Sequence, residues 1–421
     1  MRHGRGTFRR LTLAAAVALL VALVPGPVRA ADGDLDPTFG DAGRVETTYP
    51  DGAAANGVAV QPDGKIVIAG WEGGRFSVAR YLPGGTLDPD FGVGGLVTTP
   101  LGAKGDSASA VALQPNGRIV ATGTDGGDRF AVIRYLTDGT LDTSFGGDGI
   151  VRTPRGAHFW GGEDLAIQPN GKIVVVGTAG ESRVKTAFAV ARFRPNGTKD
   201  PNFGDGGRIV TPFASGQAHA VALQPDGRIV VAGSNAFGLA LARYLPNGSL
   251  DRTFGGDGKV GYWDPTDPPS DMYAHAVAIQ TDGRILAAGG YDVWFMGIAR
   301  FLPHGRLDPS FGGDGVVRTK VKGSEQALHA MALQADGRIL AAGASWPHES
   351  ITEGVPRFVV IRYRRNGSLD PSWGGDGKVA TFFPGSAYGN GAALQPDGKL
   401  VVVGEIGIHG GEGFALARYV T

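Results

Sequence analysis

The chain has 421 residues; glycine (71) and proline (26) make up nearly a quarter of them, cysteine is absent, and the formal charge is +0. No Gly-X-Y period is present, which excludes collagen, and 42% hydrophobic with 9% aromatic residues excludes a disordered chain. So much Gly and Pro excludes long helices, since each destabilises a helix interior, and leaves many turns joining short strands.

The first ten residues carry Arg2, Arg5, Arg9 and Arg10 and no acid, and residues 11–24 are apolar apart from Thr12. Pro25, Pro27 and Val28-Arg29-Ala30 follow. A basic start, a short apolar run and a small-residue cut site predict a secretory signal peptide over residues 1–30 with cleavage near Ala30. The apolar run is too short for a bilayer core of about 30 Å, and Arg9-Arg10 also permits twin-arginine export. Loss of five arginines leaves 35 basic against 40 acidic residues in residues 31–421, a charge of about −5. That balance excludes the basic face nucleic acid needs, and no second apolar run is long enough to span a membrane. A monomer is expected.

Three strings then recur seven times. Q-[PTA]-[DN]-G-[KR] begins at Gln61, Gln114, Gln168, Gln224, Gln280, Gln334 and Gln395. [AI]-R-[YF] places Arg80, Arg134, Arg192, Arg243, Arg300, Arg362 and Arg418. L-D-P-x-F-G, with small departures, places Asp36, Asp88, Asp142, Asp200, Asp251, Asp308 and Asp370. Within the first unit, residues 57–61 alternate small and apolar side chains and Pro62-Asp63-Gly64 turns the chain. Residues 65–69 and 76–82 read as second and third strands, rich in β-branched and aromatic residues, and 96–99 as an edge-like fourth. Four short strands in some fifty residues predict one propeller blade.

Six arginines precede their Asp by eight residues, whereas Arg418 has no Asp after it and Asp36 has no Arg before it. The repeat is circularly permuted, and an open stack would need caps instead. The expectation is an all-β, seven-bladed propeller of four-stranded antiparallel blades, its last blade completed by residues 44–49.

Q-P-D-G-K, A-R-Y and L-D-P-x-F-G together resemble the delta-60 repeat family, a bacterial propeller family, over residues 35–421; more distantly the unit is similar to NHL-type repeats. The resemblance implies the fold and export and brings no catalytic residues.

Seven Arg–Asp pairs exceed what a single site needs, so each is expected to be an ion pair tying the third strand to its turn. Gly-Gly-Asp-Gly at Asp148, Asp257, Asp314 and Asp376, with related forms at Asp205 and Asp41, invites a calcium reading. The ligand series of a calcium loop is missing, and a glycine turn explains the pattern more simply. Asn196, Asn247 and Asn366 head glycosylation sequons but sit at turn positions.

Loops alternate between the two faces of a propeller disc. One face holds the monotonous Gln-motif turns; the other collects the variation at residues 154–162, 180–187, 261–273, 344–357 and 405–413, where function is expected. His158, His219, His275, His329, His348 and His409 fall near it, and only His304 lies opposite. His219, His275 and His329 stand five residues before the motif Gln, where other copies carry Asn56, Ser109, Glu163 and Asn390, so a polar ring at the channel mouth is expected. Glu163, His219, His275 and His329 on consecutive blades could bind a ligand, hold a transition metal, or supply an acid or base. Trp160, Trp263 and Trp346, with Trp71, suit a glycan or peptide on that face. Trp373, which replaces the motif Phe, and Trp294 read as packing. The preferred reading is a secreted binding or scaffold propeller without cofactor, recognising a protein, peptide or glycan. The alternative is a lyase or hydrolase using His219, His275 and His329. No nucleophile elbow or metalloprotease motif is present.

Overall fold

A computed structural model describes residues 30–421 apart from 103–104, 127–128, 154–158, 183–184, 264–271, 292–294, 322–325, 347–354 and 409–410. The predicted signal peptide therefore lies outside the described residues up to 29, as do His158, His348, His409 and Trp294. Every regular element among the described residues is a strand; no helix is long and apolar enough to cross a membrane.

Strands gather into seven four-stranded antiparallel sheets, six of them wound in sequence order from the innermost strand outward. Blade 1 contains Ala53–Val60, Ile66–Glu72, Arg75–Tyr81 and Leu96–Thr99. The innermost strands of blades 2 to 7 are Asp106–Leu113, Phe159–Ile167, Gln217–Leu223, Met272–Ile279, Gln326–Leu333 and Ser386–Leu394. Blade 7 takes its outermost strand from the start of the chain: Arg44–Tyr49 pairs with Gly411–Tyr419, Arg44 facing Ala417. The chain start also supplies that repeat's missing turn, since the Asp36 amide donates to the Arg418 carbonyl at 2.8 Å and the Gly374 amide to the Asp32 carbonyl.

The core is divided among the blade junctions. Second and third strands are apolar on both faces because both are covered by neighbouring blades: Val67, Ala69 and Val78 of blade 1 pack with Ile119, Ala121 and Ile133 of blade 2. An equivalent cluster joins blades 7 and 1 through Phe39, Ile66, Ile68, Val401 and Leu416, so the ring closes by packing as well as by pairing.

A buried clasp recurs on the outer part of every blade. Arg80, Arg134, Arg192, Arg243, Arg300, Arg362 and Arg418 place Nε 2.7–3.0 Å from Oδ2 of Asp88, Asp142, Asp200, Asp251, Asp308, Asp370 and Asp36. Each carboxylate holds a second cation at 2.7–3.1 Å, the Lys or Arg that ends the Gln motif: Lys65, Arg118, Lys172, Arg228, Arg284, Arg338 and Lys399. The guanidinium also lies over the motif Phe or Trp at 4.3–5.1 Å. In six blades its Nη1 crosses to a carbonyl of the next blade's turn, as Arg80 does to Thr137 and Arg418 to Pro83; Arg362 instead donates from Nη2 to the Asp32 carboxylate at 2.8 Å. Burial raises the Asp36 carboxyl, but bonds from Thr38 and Lys399 and the charge of Arg418 outweigh it and bring it to about 2. The clasp thus unites all three sequence strings and fastens each blade to the next.

The GGDG aspartates make local turns: Asp148, Asp257, Asp314 and Asp376 accept the amide two residues on at 2.8–3.0 Å. The sequon residues Asn196, Asn247 and Asn366 do the same. Two stretches expected as variable loops are instead long hairpins: Ile173–Ser182 pairs with Lys185–Phe193, and Leu400–Ile408 with Gly411–Tyr419. Continued pairing satisfies backbone groups that an open loop would leave to water.

Candidate functional site

Every innermost strand carries a β-bulge at the same place. Pairing with the second strand slips by one residue at Asn56, Ser109, Glu163, His219, His275, His329 and Asn390. A bulge leaves one residue unpaired and re-aims its side chain. The bulge also explains a repeated glycine in the second strand. A Cβ on Gly70, Gly123, Gly233, Gly289, Gly343 or Gly404 would come within 1.7–2.0 Å of a carbonyl oxygen of the innermost strand, and one on Gly177 within 2.3 Å. No larger residue fits there without moving backbone.

The seven bulge residues surround one cavity of about 570 Å³ on the propeller axis. The rest of its wall is the one or two residues after each bulge, chiefly Gly, Ala and Val, leading toward the Gln-motif turns. The polar ring therefore lies midway along the innermost strands and not at the mouth on the variable face. His275, for instance, is the fourth of the eight residues Met272–Ile279.

Three of the seven ring residues are knit to a neighbouring blade. Asn390 Nδ2 donates to the Ala55 carbonyl (3.0 Å), Asn56 Nδ2 to the Ala108 carbonyl (2.8 Å), and His329 Nδ1 lies 3.0 Å from the Gly389 carbonyl. In each case the acceptor directly precedes the next blade's bulge residue. Overlapping these at His329 is an arc of imidazoles: His219 and His275 centroids are 5.1 Å apart, and His275 and His329 5.2 Å, with rings inclined at 55° and 82°. Tyr273 closes on His275 edge-on at 5.1 Å. Among the described residues no three His, Asp or Glu side chains are placed to share a metal ion.

Burial lowers the His219 imidazole to about 4 and, with the charges of His329 and His219 added, His275 to about 3. His329 is lowered too, by burial opposed by its bonds to Gly389 and Asn390. The arc is neutral at physiological pH, so each ring carries one donor and one acceptor, and His329 spends its donor on the Gly389 carbonyl. Glu163 faces the open lumen, and surrounding protein raises its carboxyl. Beside it, Asp164 takes the amides of Leu165 (2.7 Å) and Val221 (2.8 Å), yet burial still raises it to about 7. Asp164 was not singled out in the sequence; its signal was an acid where most copies carry Ala or Gly.

The tryptophans are dispersed. Trp346 packs on Tyr388 of the neighbouring innermost strand at 5.0 Å. Trp263 follows the outermost strand Lys259–Tyr262 and is 51% exposed, away from the axis. Trp71 is half-buried, Trp373 is wholly buried, and the Trp160 side chain lies outside the described residues.

The closed ring and its repeated clasp define a β-propeller repeat protein. Residues 61–91, 114–145, 168–203, 224–254, 280–311, 334–372 and 395–420 match the family model described as "Domain of unknown function (DUF5122) beta-propeller". These segments span more than half of the chain, which belongs to that family. No curated protein matches it. Among solved structures, a streptogramin B lyase is 12% identical, with 89% of this chain and 97% of that one covered and a TM-score of 0.54. Virginiamycin B lyase from Staphylococcus aureus is 13% identical, with 89% and 98% covered and a TM-score of 0.51. At such identity the likeness is one of fold.

Proposed function

We propose that the protein binds a small, hydroxyl-rich ligand, such as a glycan fragment, in the central channel against Glu163, Asp164, His219, His275 and His329. The observation that carries this reading is the asymmetry of the bulge ring. The same backbone device appears seven times, but one arc holds neutral imidazoles and protonatable carboxyls, while the rest is Ser109 with Asn390 and Asn56, the two Asn side chains tied to neighbouring backbone. Neutral imidazoles present donors and acceptors without the desolvation cost of a charge, which suits hydroxyl groups. The channel site takes the place of the variable-face site expected from the sequence.

A second reading, a lyase abstracting a proton from the bound ligand, is favoured by Asp164 at about 7 beside unprotonated imidazoles. The two solved structures named above are lyases by title. Calorimetry of glycan fragments against wild type and His219→Asn/His275→Asn tests both. Binding at least about tenfold weaker in the variant is expected, and turnover of the bound fragment would select the lyase reading. Unchanged affinity would reject the channel as the site.

A further inference from the structure

On the opposite face from the variable loops, the turn after the third strand follows one plan in four blades. Asp138, Asn196, Asn247 and Asn366 each accept the amide two residues on at 3.0–3.1 Å, and a Thr or Ser hydroxyl follows. Blade 1 has Gly84 in place of the acceptor and keeps the hydroxyl of Thr86; blade 5 departs further, since His304-Gly305-Arg306 carries neither the acceptor nor the hydroxyl. Its backbone is unaltered, with Gly305 donating to the Leu302 carbonyl, Leu302 to the Arg306 carbonyl and Gly255 of blade 4 to the His304 carbonyl. The turn is conserved in shape while its side-chain lock has been exchanged for two basic groups.

Blade 4 matches this exchange across the junction. After the motif Asp stands Arg252, where five copies carry Pro37, Pro89, Pro201, Pro309 and Pro371. Arg252, Lys259, His304 and Arg306 line one groove of about 550 Å³ whose wall contains no Asp or Glu. Lys259 is partly engaged, with Asp257 at 3.5 Å and the Phe213 ring at 5.6 Å. Arg252, His304 and Arg306 are exposed and, among the described residues, their side chains have no ion pair or hydrogen bond. Elsewhere on this face the motif cations are spent on clasp carboxylates; here Arg252 and Arg306, from two blades, line one groove without an acid of their own, and Lys259 has only the exposed Asp257.

We propose that this groove between blades 4 and 5 binds a tetrahedral oxyanion, a phosphate or sulfate ester on the ligand that it receives. Two guanidinium forks can take such a group bidentately, and the anion supplies their counter-charge. This site is separate from the channel and stands or falls independently of it.

Calorimetric titrations with inorganic phosphate and inorganic sulfate, run in parallel at two salt concentrations, test it. The variant H304N/R306S restores the turn of the other copies and so should melt no lower than wild type. Wild type should bind one of the anions with an affinity that falls as salt rises, and the anion preferred tells phosphate from sulfate. The variant should bind at least about tenfold more weakly. Absence of heat with both anions in wild type, or equal affinity in the variant, would overturn the proposal.

Discussion

Two concentric rings of the same molecule obey opposite rules. The outer ring of Arg–Asp clasps repeats one chemistry seven times, each Asp holding two cations and each Arg reaching into the next blade. The inner ring repeats only a backbone device, the bulge, and lets its residue vary from Asn and Ser to Glu and His. Repetition of side chains marks what holds a propeller together, whereas variation on a repeated backbone marks what is free to recognise something.

Substitutions in the two rings should therefore fail differently. The largest effect is expected from Asp308→Asn, which leaves Arg300 and Arg284 facing a neutral amide in a buried site. A stability loss of about 3 kcal/mol is expected from removing one partner of a buried pair, read as a lower urea midpoint, with ligand affinity unchanged in the protein that remains folded. An unchanged midpoint would place the clasp outside the stability of the ring. Gly289→Ala comes next. Its Cβ would sit 1.8 Å from the Tyr273 carbonyl, so the bulge that aims His275 must shift, at about 2 kcal/mol for overpacking. Here ligand binding should fall together with stability; binding that survives intact would separate the bulge from the site.

Acid should sharpen the comparison most gently. Folded His219 and His275 lie near 4 and 3, below their ordinary value of 6.5. The unfolded chain thus binds more protons between those limits, and this contribution, complete above about 6.5, is lost as pH falls. Asp164, raised to about 7, works the other way over its own range, taking up a proton in the folded state. The clasp carboxylates are all lowered, Asp36 to about 2, so their contribution weakens only below about 4. Between pH 7 and 5, denaturation midpoints should fall further for wild type than for His219→Asn/His275→Asn. Parallel curves would mean that the arc does not titrate as a buried neutral group.

The closed ring was legible because its permutation is written in the motif order: Asp36 without an Arg before it, Arg418 without an Asp after it. The eight-residue Arg–Asp spacing was legible for the same local reason, a strand followed by one turn. The second cation of the clasp was visible as an invariant Lys or Arg after the Gln-motif glycine, but Lys65 and Asp88 are joined only once two strands and a turn are folded. Contacts across blades, such as Tyr135 with Thr99 at 2.7 Å, leave no local pattern at all. The seven polar residues were found by register, yet their bulges were not, because a bulge is a slip in pairing and not a residue type. The trace it left was the second-strand glycine, among strands otherwise filled by Val, Ile and Ala. The ring lies midway down the channel because the innermost strand of blade 1 begins at Ala53, upstream of the start expected at residue 57.

The central claim, that recognition occurs at the inner ring, is tested most directly by one paired affinity measurement. A glycan fragment that binds wild type is titrated into His219→Asn/His275→Asn and into Trp346→Ala, which alters the variable face beside Tyr388. The account predicts at least about a tenfold loss in the first and wild-type affinity in the second. Loss in the Trp346 variant with full affinity in the histidine variant would contradict it and return the site to the variable loops.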